Sequence, residues 1–288
     1  AGTLAQAHDY HGAHEVACRA TSIDNGLKSD QGWVELSAEL ARLAGHYEMT
    51  IELLKPIVNS KKVTANSLFH YALANHEAGN PELVATSLRA AQRLNPQSMK
   101  YLPLLCRLQS ESGNHQAALR TSRLFQKLFP RQPLGLVLEG DASLSLNRWD
   151  QALSSYRQAI GSGFTSAAKF YNLAIDKERG GDWSAAIELH KLHLAVAGED
   201  AASYANMAAD YYELGNGEEA LASARRAVEL DPSDPLNLNM LANLYLAGKD
   251  YGAATPLLTR IASMEDAPEP IRTTAARNLA ALDASERS

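Results

Sequence analysis

The sequence predicts an all-α solenoid of about eight helix-turn-helix repeats of 34 residues, closed by a C-terminal capping helix. Three observations in one register predict it. Ala118, Ala152, Ala186, Ala220 and Ala254 each follow the last by 34 residues, Val84 and Thr50 extend the series backwards at the same interval, and Ala13 precedes Thr50 by 37. A turn position recurs with the same period at Gly45, Gly79, Gly113, Asn147, Gly181, Gly215 and Lys249, mostly residues that accept a left-handed backbone between two helices. A third position is small in every repeat: Ala38, Ala72, Cys106, Gly140, Ala174, Ala208 and Ala242.

Each period holds two helices. The first carries the small position, the turn follows, and an aromatic residue often opens the second, as at Tyr10, Tyr47, Trp149, Trp183 and Tyr251. Residues 1–21 are a partial first repeat, with room for only part of a first helix over Ala1 to Gln6. The extra three residues of the first interval fall in Ser22 to Gly32, a stretch rich in Asn, Gly, Asp and Ser. Residues 32–266 then hold seven repeats, 267–283 the cap with Ala275, Ala276 and Leu279 in core register, and 284–288 a frayed tail. One hairpin is too small to bury its own apolar face, so each needs neighbours and the whole of 1–288 reads as one array.

Composition agrees and narrows the function. Apolar residues make up 45% and charged residues 21%, enough for a core, while aromatics are only 7% and alanine is abundant, which favours close-packed helices. A net charge of −6 argues against a nucleic-acid partner, which needs surplus Lys and Arg. Charge is uneven: Val84 to Arg131 carries eight basic residues against the single acid Glu111. Cys18 and Cys106 form no metal-type spacing, and no apolar run reaches the roughly 20 residues of a membrane span. The chain opens on Ala rather than Met, from which an initial segment is expected to have been removed.

The register as a whole resembles the tetratricopeptide repeat. The resemblance is clearest in Tyr204, Met207, Ala208, Tyr211, Gly215, Asn216, Ala220, Ala224, Ala227 and Pro232, and it holds for Leu238, Leu241, Ala242 and Tyr245 and for the stop at Asn95 and Pro96. It implies a right-handed superhelix and a non-enzymatic scaffold or adaptor for other proteins, and the alanine-rich composition looks bacterial.

In such an array the first helices line the concave side, and helical spacing from the buried positions selects what faces it. The expected partner-binding residues are Phe69, Leu73, Leu104, Val137 and Leu138 as apolar contacts, with Tyr171, Asn172, Asn206 and Tyr212 to hydrogen-bond or stack. They would hold a peptide or an amphipathic helix. The alternative for Leu104, Val137 and Leu138 is packing between neighbouring first helices. Asn172 and Asn206 share a position 34 residues apart, either a ladder pairing with a peptide backbone or a solvated polar face. Groove cations Arg42, Arg107 and Arg179 are too dispersed for the family's carboxylate clamp.

On the second helices Lys55, Arg89, Arg123, Arg157, Lys191 and Arg225 repeat every 34 residues, a placement the helix dipole favours and an anionic partner could also use. His11, His14 and Cys18 share one helix face, three donors that one helix seldom arranges around zinc, and His190 and His193 fall at packing positions. No cofactor, metal or catalytic constellation is expected. Two rival functions stand beside the adaptor: an assembly factor of a bacterial secretion, pilus or exopolysaccharide system in the periplasm or envelope, and the repeat region of a larger enzyme such as a repeat-bearing glycosyltransferase. Self-association through an N-terminal face exposing Leu4 and Ala7 is a further expectation.

Overall fold

The computed structural model describes residues 8–286, and among these it holds sixteen α-helices, one short 3-10 segment and no strand. The chain divides into two compact units, Ala1–Gly163 and Phe164–Ser288. The division falls at Gly161-Ser162-Gly163, where Gly163 adopts φ 92°.

The first unit contains α1 (Tyr10–Ile23), the 3-10 segment η1 (Asn25–Ser29), α2 (Gln31–Leu43), α3 (Tyr47–Val58), α4 (Ala65–Glu77) and α5 (Pro81–Leu94). It continues with α6 (Tyr101–Glu111), α7 (His115–Leu128), α8 (Leu134–Ser145) and α9 (Trp149–Gly161). The second contains α10 (Ala168–Arg179), α11 (Trp183–Ala197), α12 (Ala201–Glu213), α13 (Gly217–Leu230), α14 (Pro235–Ala247), α15 (Tyr251–Ser263) and α16 (Glu269–Glu286). Within each unit every helix packs on the next, and first helices of adjacent repeats also touch, as α2 with α4 and α6 with α8.

The turns repeat one device. At each, the turn residue and its successor donate backbone N–H groups to the last carbonyls of the preceding helix: Gly45 to Arg42 at 3.0 Å with His46 to Ala41 at 2.8 Å, and Gly215 to Tyr212 with Asn216 to Tyr211, both at 2.9 Å. This closure satisfies helix-end carbonyls and requires a left-handed residue. All seven turn positions have positive φ, from 57° at Asn147 to 83° at Gly45, and Lys249 is held there at 60°. The second helix then starts from a capping side chain in several repeats: Asn114 accepts from Ala117 N, Asp182 from Ala185 N and Asp250 from Ala253 N.

The small position explains why paired helices approach closely. Ala38, Ala72, Ala174, Ala208 and Ala242 are buried, as are their counterparts on the second helices, Thr50, Val84, Ala118, Ala152, Ala186, Ala220 and Ala254. One turn further on, each second helix inserts a side chain against the small residue: Leu54 beside Ala38, Leu88 beside Ala72, Ala224 beside Ala208 and Leu258 beside Ala242. In the fifth repeat this side chain is Tyr156, fully buried, and the small residue facing it is Gly140, where a Cβ would overlap the tyrosine ring. The Tyr156 hydroxyl donates to Asp141 Oδ1 at 2.7 Å, which fixes the ring. Each buried leucine of this set contributes roughly 1.5–3 kcal/mol.

The C-terminal helix extends further than the sequence implies. The cap expected over 267–283 is α16, which runs on to Glu286 through part of the segment expected to fray. Its Ala275 and Leu279 pack with Leu258 and Ile261 of α15. Residues 287–288, the first helix expected over Ala1 to Gln6, and the N-terminal face with Leu4 and Ala7 lie outside the described residues.

Candidate functional site

Leu104, Leu138, Asn172 and Asn206 are successive members of one position in the register, which His70 occupies in the third repeat. At Leu104 and Leu138 it is apolar and forms a recess. A cavity of about 420 Å³ lies between α6 and α8, lined by Pro103, Leu104, Cys106, Arg107, Ser110, Leu138 and Asp141. Leu104 and Leu138 are half-buried, each resting on its own buried cluster, while Arg107 is exposed at the rim. Arg107 pairs with Glu111 at 3.6 Å, and Asp141 is engaged by Tyr156. An apolar floor with one cationic and one anionic side chain at its edge suits a backbone-bearing ligand with apolar side chains.

The other expected contacts sort by their surroundings. Phe69 is half-buried on the α4 and α6 core and covered by the Lys100 ammonium, 3.9 Å from the ring centroid, so it acts partly as a cation platform. Leu73 is half-buried on the same helix. Val137 is only 4% exposed and offers no surface to a ligand. It lies one residue before Leu138, which also rests partly on Cys106 of the neighbouring first helix but keeps an exposed part at the recess, so packing claims Val137 wholly and Leu138 in part.

In the second unit Asn172 is exposed, Asn206 half-buried and Tyr212 53% exposed. Tyr171 packs edge-on against His190 and tilted against His193, with centroids 5.6 and 5.4 Å away. These two histidines are more than the packing residues the sequence implies. His193 Nδ1 meets the Ala167 carbonyl at 3.1 Å and its Nε2 lies 3.7 Å from Asp200. His190, fully buried, places Nε2 2.7 Å from Glu178 Oε1. Burial holds the His190 imidazole below its ordinary pKa despite that carboxylate. Asp210, on α12, completes a group with them: donor atoms of Glu178, His190 and Asp210 all lie within 4.8 Å of one another. Burial and the charge on Glu178 push the Asp210 carboxyl up to about 7.

The sequence carries a faint signal for this cluster, since Asp210 occupies a position that is Leu40, Ala74, Leu108, Ala142 and Leu244 in other repeats. The signal is masked because Asp176, exposed in the structure, precedes it in the same position.

The histidines of the first unit arrange differently. His14 Nε2 lies 3.5 Å from Cys18 Sγ, and the His14 ring faces His46 at 4.9 Å. Burial together with His46 and His11 keeps the His14 pKa below its usual value. The basic series on the second helices is used between repeats: Arg123 Nε donates to Glu139 at 2.8 Å and Arg225 Nε to the Tyr245 hydroxyl at 2.9 Å, each on the following first helix. Lys191 instead pairs within its helix with Glu188 at 2.8 Å.

The profile of the tetratricopeptide repeat matches residues 171–235 and 205–270. No curated protein matches the chain significantly in sequence. Among solved structures, the C-terminal part of a tetratricopeptide repeat-containing protein from Cytophaga hutchinsonii is similar with a TM-score of 0.58 and 15% identity, covering 83% of this chain and 97% of that one. The structure of Naa15/Naa10 bound to HypK-THB is similar with a TM-score of 0.53 and 13% identity, covering 95% of this chain and 42% of that one. No helix of the described residues is long and apolar enough to cross a membrane. Residues 171–270 thus carry the tetratricopeptide repeat by profile, and helix pairs of the same period, seven closures of one geometry and a small residue at each close approach give the rest of the described chain the same fold.

Proposed function

We propose that the protein is a non-enzymatic adaptor that holds a peptide or amphipathic helix of another protein against its first helices. The observation that carries this reading is the recess between α6 and α8, in which Leu104 and Leu138 present an apolar floor beside Arg107 and Asp141. A partner helix would seat one or two apolar side chains there, at the i, i+3 or i+4 spacing that such grooves read. Phe69 and Leu73 on α4 extend the apolar surface on one side. In the second unit Tyr171, Asn172, Asn206 and Tyr212 supply stacking and amide groups for the backbone of a bound segment. Val137 has no part in contact.

The test is site-directed photo-crosslinking in the native host, with the crosslinker at Leu138 and, as a control, at exposed Thr86 on α5. The expected result is an adduct from position 138 that mass spectrometry maps to one segment of one partner, and that Leu104→Glu abolishes while circular dichroism stays unchanged. Adducts that are identical from both positions, or indifferent to Leu104→Glu, refute groove binding.

A further inference from the structure

We propose that Glu178, His190 and Asp210 form a binding site for a divalent transition-metal ion of the zinc type, joining α10, α11 and α12 within the second unit. The donors come from three separate helices, and their ligand atoms already lie within 4.8 Å of one another. Donors around one tetrahedral ion at about 2.1 Å stand roughly 3.4 Å apart, so loading requires the 2.7 Å between His190 Nε2 and Glu178 Oε1 to open by roughly an ångström or less and the wider separations, all within 4.8 Å, to close.

Charge points to a cation rather than to a further hydrogen bond. Asp210 is 1% exposed, and its Oδ2 is buried with no hydrogen-bond partner in the protein. Its charged neighbour is Glu178, of the same sign. A buried carboxylate beside a second carboxylate is stabilised only by a proton or by a positive ion between them. His190 contributes an imidazole that burial keeps neutral, the form that ligates metals. Two carboxylates and a neutral imidazole balance a doubly charged ion.

The donor set also selects among ions. Calcium takes six to eight oxygen ligands and magnesium mostly keeps its waters, neither of which this nitrogen-containing triad suits. One imidazole nitrogen with two carboxylate oxygens suits zinc, cobalt, iron or manganese. Glu178 is the half-buried member and gives the site its open side. His193, Asp200 and Tyr171 surround the triad without belonging to it.

The experiment is zinc titration of the chelator-stripped full chain by calorimetry. It is run in a His14→Ala, Cys18→Ala background, which removes the buried imidazole and neighbouring exposed thiol of α1 as a competing ligand set. The expected result is one equivalent of zinc bound and a higher thermal midpoint with zinc than without. Asp210→Asn, which keeps shape while removing charge, is expected to weaken binding at least tenfold, and Glu178→Gln to do the same. If Asp210→Asn fails to fold by circular dichroism, Glu178→Gln decides. Absence of zinc binding in the background protein, or background-level affinity in either folded variant, overturns the proposal and leaves Asp210 as a buried, protonated acid. Loading with cobalt provides a second readout: a visible spectrum of nitrogen and oxygen ligation supports the site, and thiolate charge transfer, which requires the buried Cys106, overturns it.

Discussion

Acidification from about pH 7.5 to pH 5 removes roughly 2 kcal/mol from the stability of the first unit through His70 alone. This side chain on α4 is 5% exposed. Its Nδ1 accepts a hydrogen bond from Arg42 Nε at 3.2 Å, and its Nε2 faces Glu39 Oε1 at 3.7 Å. That arrangement requires a neutral ring with the proton on Nε2. Burial, then Arg42, then Lys100 lower its pKa from 6.5 to about 4, and Glu39 is the acid that faces it. Between these two values the unfolded chain binds the proton and the folded chain does not. The contribution is therefore whole above 6.5 and is lost as the pH falls toward about 4, a span worth roughly 3 kcal/mol at about 1.4 kcal/mol per pH unit. The assay compares urea unfolding of wild type and His70→Gln at the two pH values, with the His70 imidazole followed by NMR. Glutamine can accept from Arg42 but does not titrate. The wild type is expected to lose about 2 kcal/mol more than the variant on acidification. Equal losses in both proteins, or an imidazole that titrates near 6.5, refute the reasoning.

Three further outcomes follow from packing and backbone geometry. Gly140→Ala drives a methyl group into the fixed Tyr156 ring and is expected to destabilise the first unit by about 1–3 kcal/mol, read as a lower urea midpoint. Lys249→Gly relieves a left-handed lysine at φ 60° and is expected to stabilise the second unit by about 0.5–1 kcal/mol, read as a higher midpoint with unchanged slope. Cys106 is buried, with its thiol pushed up to about 12, while Cys18 is exposed; Ellman's reagent should therefore titrate one thiol in the native protein and two after unfolding.

The repeat architecture was legible because it rests on backbone requirements. A left-handed turn residue and a small residue at each close approach admit few side chains, so Gly45 to Lys249 and Ala38 to Ala242 stand out in the chain and recur where expected in the structure. The groove was legible in part. Leu104 and Leu138 meet at one recess, but a difference of one residue separates Leu138 from buried Val137, finer than helical spacing resolves when both neighbours are apolar. The polar cluster was barely legible, through Asp210 at a mostly apolar position. Glu178, His190 and Asp210 occupy three different positions in the register, and what joins them is packing across three helices, which no single period records.

Tyr156 facing Gly140 bears on how such chains can be recombined. In the third repeat the same two places are filled by Leu88 and Ala72, a different division of nearly the same space. A chimera that joins a first helix carrying alanine to the second helix with Tyr156 sets a Cβ into the tyrosine ring, and the reverse exchange leaves a void. Each hairpin is thus an indivisible cassette, and crossovers placed between repeats should yield folded proteins where crossovers placed in the turns do not.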